Sequence, residues 1–430
     1  MHLTRRHLLT YSSAAAGAAA LAGCGFTRSS DDSTGSRTLT FTTWGTESEL
    51  AGFRSAIDSF EKANPGTSVQ LNAVPYEQMF TNVDAQIQAG NAPDVFRVPY
   101  YSFGAYAGAG QLLDLTDHLD SGFSDRFTPQ AWAAVQNGGS PFGVPHHTDT
   151  SVILYNKQAL ETAGIDAVPT ALDEAWTWDQ FDEVARRLRR SLPDDKFPFA
   201  YNWQGNGVTR WLSWLFEADG RFLEDDLLTP AIDSDAGRAA VEFTQRFFPD
   251  RLVPPNSSVK ATTYAADLWY GETVAMTFGG AFLVPDTEAT VDFEWGATYS
   301  PRNVRAGGDF GGNALVATRD ADPELVAAFF DHVTQAEQMR QFCAGASLLP
   351  TRADLVEGGI EFAVRPELSP VFVGQASTVQ AQDSGQVASP SMASIITVLQ
   401  DQLEAAFVGG QGTEATIRGL ASGIGEATAG

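Results

Sequence analysis

The apolar positions of this chain move between two rhythms. Leu39-Thr-Phe41-Thr-Thr-Trp44 alternates as a strand with one buried face requires. Gly45 breaks the alternation, and Thr46-x-x-Glu49 then forms a capping box that satisfies the first free N–H groups of a helix. Leu50, Phe53, Ile57 and Phe60 mark one face of that helix, and Asn64-Pro65-Gly66 turns the chain. Val69, Leu71 and Ala73 alternate again. Met79, Phe80, Val83 and Ile87 form a second helical stripe, stopped at Gly90, and Asp94 to Val98 predicts a third strand. Strand and helix in turn imply a parallel sheet with helical crossovers.

The same reading continues downstream. Ser151 to Tyr155 predicts a buried strand, and Thr177-x-x-Gln180 caps a helix carrying Trp178, Phe181, Val184 and Leu188. Val274 to Phe278 predicts a strand that runs into Gly279-Gly280. Asp322-Pro323 places proline at the first position of a helix with Leu325, Phe329 and Val333. Ile395, Leu399, Leu403 and Phe407 form a last stripe, and no internal repeat is visible. A folded part starting at Thr38 holds about 390 residues, more than one ordinary core accommodates, so two lobes are expected.

The N-terminus breaks the pattern. Arg5-Arg6, Leu8-Leu9 and a small apolar run from Ala14 lead to Leu21-Ala22-Gly23-Cys24. A charged start, a short apolar stretch and a small-residue site describe an export signal rather than a membrane span. The arginine pair resembles a twin-arginine signal. Leu8 stands where an aromatic is usual, which leaves the general secretory route open. Leu-Ala-Gly-Cys resembles the bacterial lipobox, which implies cleavage before Cys24, a lipid on its thiol and a protein held at the outer face of the cytoplasmic membrane. Residues 25–37 then read as a polar tether. Cys343, left without a partner, lies in an apolar helical pattern and is expected to be a small core residue.

Composition narrows the partners. Hydrophobic content of 43% suits a globular protein. Against 27 basic residues stand 53 acidic ones, a net charge of −26 that opposes binding to nucleic acid. No G-x-x-x-x-G-K-[ST] occurs, so any ATPase must be a separate chain.

Several short patterns occur in one order: Phe60-Glu-Lys-Ala-Asn-Pro-Gly66, Gly90-Asn-Ala-Pro-Asp-Val95, Gly143-Val-Pro145 with Leu154-Tyr-Asn-Lys157, Thr177-Trp-Asp179, Gly271 to Met276, Gly279-Gly-Ala-Phe282 and Leu349-Pro-Thr-Arg352. Together they resemble the extracellular solute-binding proteins of ABC sugar importers, the maltodextrin-binding branch included. The resemblance implies an α/β fold of the type II periplasmic-binding-protein kind, two lobes joined by hinge crossovers with the ligand cleft between them. It places crossings near Pro145, near Asn313 and after Pro350. Lobe one would be 38–145 plus 313–350, and lobe two 146–312 plus 351–430. It implies a monomer that captures a carbohydrate and passes it to a membrane permease, with no cofactor and no catalysis of its own.

A sugar has apolar C–H faces that pack on aromatic rings and hydroxyls that must be hydrogen-bonded when buried. Residues of those types at strand ends are therefore the expected ligand contacts: Trp44, Thr46, Glu47, Asp94, Tyr100, Tyr101, His147, Asp149, Asn202, Trp203 and Trp211. Gly280 and Gly312 would let backbone approach the ligand, and Phe282 would stack where many sugar binders carry tryptophan. His146-His147-x-Asp149 could suggest a metal, but adjacent strand residues face opposite ways, so no metal site is expected. Ser394-Ile395-Ile396 stands where the family carries a C-terminal aromatic, which shifts the expected ligand toward a smaller sugar. Two other readings remain at this point: an exported glycosidase with paired carboxylates, and a ferric-iron binder using Tyr100 and Tyr101.

Overall fold

The computed structural model describes residues 37–429. The export signal, Cys24 and all of the expected tether except Arg37 lie outside the described residues. Arg37 is already structural: it opens strand β1 (Arg37–Thr43) and pairs with Asp322 at 2.6 Å.

Among the described residues twelve strands follow in order. They are β1, β2 (Thr67–Ala73), β3 (Val95–Pro99), the short β4 (Gln136–Asn137) and β5 (Ser140–Pro141), β6 (Gly143–Asp149), β7 (Val152–Asn156), β8 (Phe197–Ala200), β9 (Val274–Gly279), β10 (Trp295–Thr298), β11 (Gly311–Ala317) and β12 (Leu349–Pro350). Six form one sheet in the order β12-β6-β11-β3-β1-β2, and four form another in the order β10-β7-β9-β8. The β1–β2 and β1–β3 pairs are parallel, as strand–helix alternation predicts. Between them lie helices α1 (Glu47–Ala63) and α2 (Tyr76–Ala89). The capping box at Thr46 and Glu49 is formed in full. Phe53, Ala56, Ile57 and Phe60 turn α1 onto the sheet, where Phe53 meets Phe41 edge-on at 5.1 Å. Tyr100 and Tyr101 lie on a helix: α3 (Tyr100–Gly108) starts directly after β3, because Pro99 supplies a fixed backbone angle as its N-cap.

The two sheets are joined where β6 passes to β7 and where β10 returns to β11. β6 is hydrogen-bonded on both flanks, to β11 as far as the Asp149–Gly311 pair and to β12 through Thr148 and His147. That register carries the first sheet beyond the crossings expected at Pro145 and Asn313. His146, His147, Thr148, Asp149, Gly311 and Gly312 all belong to the first sheet, and the chain leaves it at Thr150-Ser151. The stretch after Pro350 does not lie wholly with the second sheet either. In the helix Ala381–Val387, Ser384 Oγ donates to the Gln130 carbonyl at 2.7 Å, while Gln386 Oε1 accepts from the Phe222 and Leu223 N–H groups at 2.9 Å.

The second sheet is held by aromatic side chains. Trp178, Phe181, Tyr201, Trp203, Trp211, Trp214, Phe247 and Phe278 form one buried cluster. Trp214 is central to it, with Trp178, Tyr201, Phe243 and Phe278 all within 5.7 Å centroid to centroid. Cys343 is fully buried in the first core, as expected, and burial pushes its thiol well above the ordinary range. Among the described residues no helix is long and apolar enough to cross a membrane. Truncating Trp214 removes the common neighbour of these rings. Trp214→Ala is expected to cost about 3–5 kcal/mol, measured as a lower midpoint in urea with secondary structure retained before the transition.

Candidate functional site

The C-terminal ends of β1 and β3 and the start of α2 place three aromatic side chains together. Trp44 follows β1 and is half-buried; its ring lies 5.2 Å from Tyr76 and 5.7 Å from Phe80. Tyr76 and Tyr101 share a hydroxyl–hydroxyl bond of 2.6 Å. Burial raises the Tyr101 phenol well above its ordinary range, and Asn206 and Arg210, from the segment after β8, face it. Residues of the first sheet thus meet residues of the second at Tyr101.

Beside Tyr101 lies the main charge cluster. Arg210 reaches Asp149 Oδ2 at 3.1 Å and Asp309 Oδ2 at 3.4 Å, and its side chain is 17% exposed against 5% and 4% for the carboxylates. Asp149 ends β6, and Asp309 precedes β11. The remaining oxygens are occupied too: Asp149 Oδ1 accepts from the Ala281 N–H at 3.2 Å, and Asp309 Oδ1 from the Ser151 N–H at 2.8 Å. Burial raises Asp149 to about 6; Arg210 pulls it down and Asp309 pushes it up. Burial alone would lower the Arg210 guanidinium, but Asp309 and Asp149 outweigh it and hold it above its ordinary value.

Gly280 makes this arrangement fit. A Cβ there would stand 2.2 Å from Asp149 Oδ1, so only glycine lets the carboxylate reach the Ala281 N–H. The open N–H groups expected at this turn are therefore engaged by the protein's own aspartate. Phe282 stands two residues on, half-buried as the N-cap of the helix Leu283–Thr290.

A second polar cluster lies beneath Trp44. Arg97 on β3, 3% exposed, reaches Glu49 Oε1 at 2.6 Å, His147 Nε2 at 3.0 Å and the Trp44 carbonyl at 2.9 Å. Arginine can only donate, so His147 Nε2 is an acceptor and its proton sits on Nδ1. That proton points to His146 Nδ1, 3.1 Å away. Asn313 Nδ2 completes the set at 2.9 Å from His147 Nε2.

The expected ligand contacts divide accordingly. Trp44, Tyr101, Asp149 and Gly280 converge with the newly found Tyr76, Arg210 and Asp309. Trp203 and Trp211 do not: both are fully buried, with Nε1–H donated to the Ser257 carbonyl at 2.7 Å and to Thr244 Oγ1 at 3.0 Å. Both belong to the aromatic cluster around Trp214. Asp94 lies at the opposite end of β3 and accepts from the Thr40 N–H and hydroxyl, both at 2.8 Å. Tyr100 is buried and donates to the His147 carbonyl at 3.1 Å, and His147 is enclosed by Arg97, His146 and Asn313. Thr46 caps α1, and exposed Glu47 pairs with Arg54 at 2.8 Å. Gly312 does permit a close backbone approach, with φ of +95°, but its neighbour is the His147 carbonyl. Asn202 is half-buried beside Gly207. Arg210 does carry a sequence signal: it is the lone cation in a glycine-rich polar stretch between Trp203 and Trp211.

Aromatic and polar groups thus gather where the two sheets meet, an arrangement suited to holding a small solute. The sequence model for bacterial extracellular solute-binding proteins matches residues 44–340, and the chain belongs to that family. An arabinooligosaccharide-binding protein of Halalkalibacterium halodurans is 29% identical over 163 residues, 37% of this chain and 35% of that one. A maltodextrin-binding protein of Bacillus subtilis is 32% identical over 146 residues, 33% of each. The chain thus spans about a third of the length of these curated relatives. An uncharacterized lipoprotein of Streptomyces antibioticus is 23% identical over 319 residues, 70% of this chain and 67% of that one. Among solved structures, the cyclic α-maltosyl-1,6-maltose binding protein of Arthrobacter globiformis superposes with a TM-score of 0.77 at 16% identity, covering 92% of this chain and 99% of that one. The acarbose-binding GacH receptor of Streptomyces glaucescens gives 0.74 at 20%, with the same coverage. The fold is the type II periplasmic-binding-protein fold.

The two buried histidines give the fold a pH dependence. Burial and the Arg97 charge lower His146 to about 3 and His147 well below its ordinary value. The unfolded chain binds protons on both below about pH 6.5 while the folded chain does not, so stability falls as pH drops through that window. Asp149 acts in the opposite sense: raised to about 6, it adds stability as pH falls through 6. His146→Asn keeps an acceptor near Nδ1 and removes one titration. It is expected to shrink the drop in Tm between pH 7.5 and pH 5, read by calorimetry; an unchanged drop would refute the assignment.

Proposed function

We propose that this chain is an exported receptor that captures a short carbohydrate and delivers it to the membrane permease of an ABC importer, with a separate chain as ATPase. The observation that carries this reading is the pairing of surfaces: Trp44, Tyr76 and Tyr101 on one side, Arg210 held between Asp149 and Asp309 on the other. Aromatic rings suit the C–H faces of a pyranose or furanose, and fixed charged groups suit its hydroxyls. The oligosaccharide-binding relatives support the solute class.

The lobes are taken to part at Asp149/Thr150 and Phe310/Gly311, and the absence of an aromatic at Ser394-Ile395-Ile396 favours a short sugar. Ile395 and Ile396 are buried, which supports this. Cys24 is proposed to carry the lipid that holds the protein at the outer face of the membrane, after export by the twin-arginine or general secretory route; the lipoprotein relative supports the anchor. The receptor is taken to act as a monomer.

The binding role is favoured over catalysis by the state of the carboxylates. Asp149, raised to about 6, has the elevated pKa of a general acid. Yet its two oxygens accept from the Ala281 N–H and the Arg210 guanidinium, which sets Asp149 as a hydrogen-bond acceptor rather than as the proton donor that a glycosidic oxygen needs. Iron is disfavoured by the two tyrosines, whose hydroxyls go to separate partners, His147 and Tyr76.

Calorimetry with arabino-, malto- and galacto-oligosaccharides of two to four units tests the reading. One series is expected to bind. Trp44→Ala and Arg210→Lys should each weaken it about tenfold or more, because lysine keeps the charge but loses the two-sided fork. A panel without binding, alongside binding of another solute class, would overturn the carbohydrate assignment.

A further inference from the structure

Trp44 follows a strand and precedes a helix, a short connection that leaves an indole ring many orientations. Three observations show it held from below. The Arg97 guanidinium carbon lies 4.5 Å from the ring centroid, within cation–π range. Arg97 Nη1 also donates to the Trp44 carbonyl at 2.9 Å, so one side chain grips both the ring and the backbone. And Arg97 is itself fixed, through Nη2, to Glu49 at 2.6 Å and His147 at 3.0 Å.

Each partner ties Arg97 to a different element. Glu49 Oε2 accepts from the Thr46 N–H at 2.8 Å, closing the cap of α1. His147 lies on β6, and Asn313, which shares its Nε2, lies on β11, the two long strands that carry the chain between sheets. The cluster is sealed: Arg97, Glu49 and His147 are each under a tenth exposed. A buried charge of this kind adds little net stability over apolar packing. Its specific geometric yield here is one orientation of Trp44 in register with β6 and β11.

We propose that Arg97 is the positioning residue of the aromatic wall, fixing Trp44 so that the site is formed before the sugar arrives. This rests on Trp44 facing the ligand. A preformed wall spares the ordering cost that a free ring would add to binding.

The test uses the mature chain and isolates Trp44 emission by difference against Trp44→Phe in each background. Arg97→Met alone leaves the Glu49 charge unpaired, so the informative variant is Arg97→Met/Glu49→Gln, in which glutamine keeps the acceptor for the Thr46 N–H. With cooperative thermal unfolding retained, acrylamide quenching of Trp44 is expected to rise about twofold or more, and Kd for maltotriose about tenfold. Arg97→Lys, which keeps the charge without the fork, should resemble the double variant rather than the parent. A folded double variant with parental Trp44 quenching overturns the proposal, whatever the sugar result. If Trp44→Ala binds maltotriose as tightly as the parent, the reading of the site fails instead, and the quenching measurement still decides the role of Arg97.

Discussion

One guanidinium, that of Arg210, sits where the two halves of the molecule meet. It bonds Asp149 at the end of β6 and pairs with Asp309 just before β11, the points where the chain leaves and re-enters the first sheet. Two buried carboxylates that close would repel each other in a low-dielectric setting, and a single shared cation makes both tolerable. Remove it and the strands that join the lobes would carry uncompensated charge. The raised Asp149 pKa records its burial, which the Arg210 charge offsets only in part and the Asp309 charge adds to.

The aromatic side of the site is built on a different principle. Trp44 lies in the connection after β1, while Tyr76 and Tyr101 stand in the first turns of α2 and α3, each just beyond the end of a strand. Open α/β sheets expose such strand ends as a natural crevice. Beneath them, Arg97, Glu49 and His147 form a floor of buried polar groups with nearly complete hydrogen bonding. A polar floor of this kind specifies geometry, while the aromatic core around Trp214 supplies apolar burial. The two kinds of packing are kept apart, one under the site and one behind the second sheet.

The elements were legible because their signals are local. The alternation at Leu39–Phe41, the capping boxes at Thr46 and Thr177 and the Asp322-Pro323 helix start all appear in place. The candidate site was legible only in part. Trp44, Tyr101, Asp149 and Gly280 stood at predicted strand ends. Tyr76 and Arg210 needed the partner that a linear reading does not supply. His147 and Trp203 misled for a shared reason: residue type marks a side chain that can bind a sugar, but the same type also suits burial with one good hydrogen bond. Only the three-dimensional neighbours, Arg97 for one and Ser257 for the other, decide between those fates.

The pairing of β6 on both edges has a mechanical consequence. A strand clamped by β11 and β12 through Thr148 and Asp149 resists bending along that length, so on the proposed division into lobes a swing of one against the other pivots at Thr150-Ser151 and at the return before Gly311. Points on an axle hardly move when a door turns. Asp149 and Arg210 lie beside that axle, whereas the Trp44 ring stands away from it on the first lobe. The sugar proposed above would then meet the charged pair in much the same place whether the jaw is wide or shut, and the outlying surfaces would set how far the jaw travels.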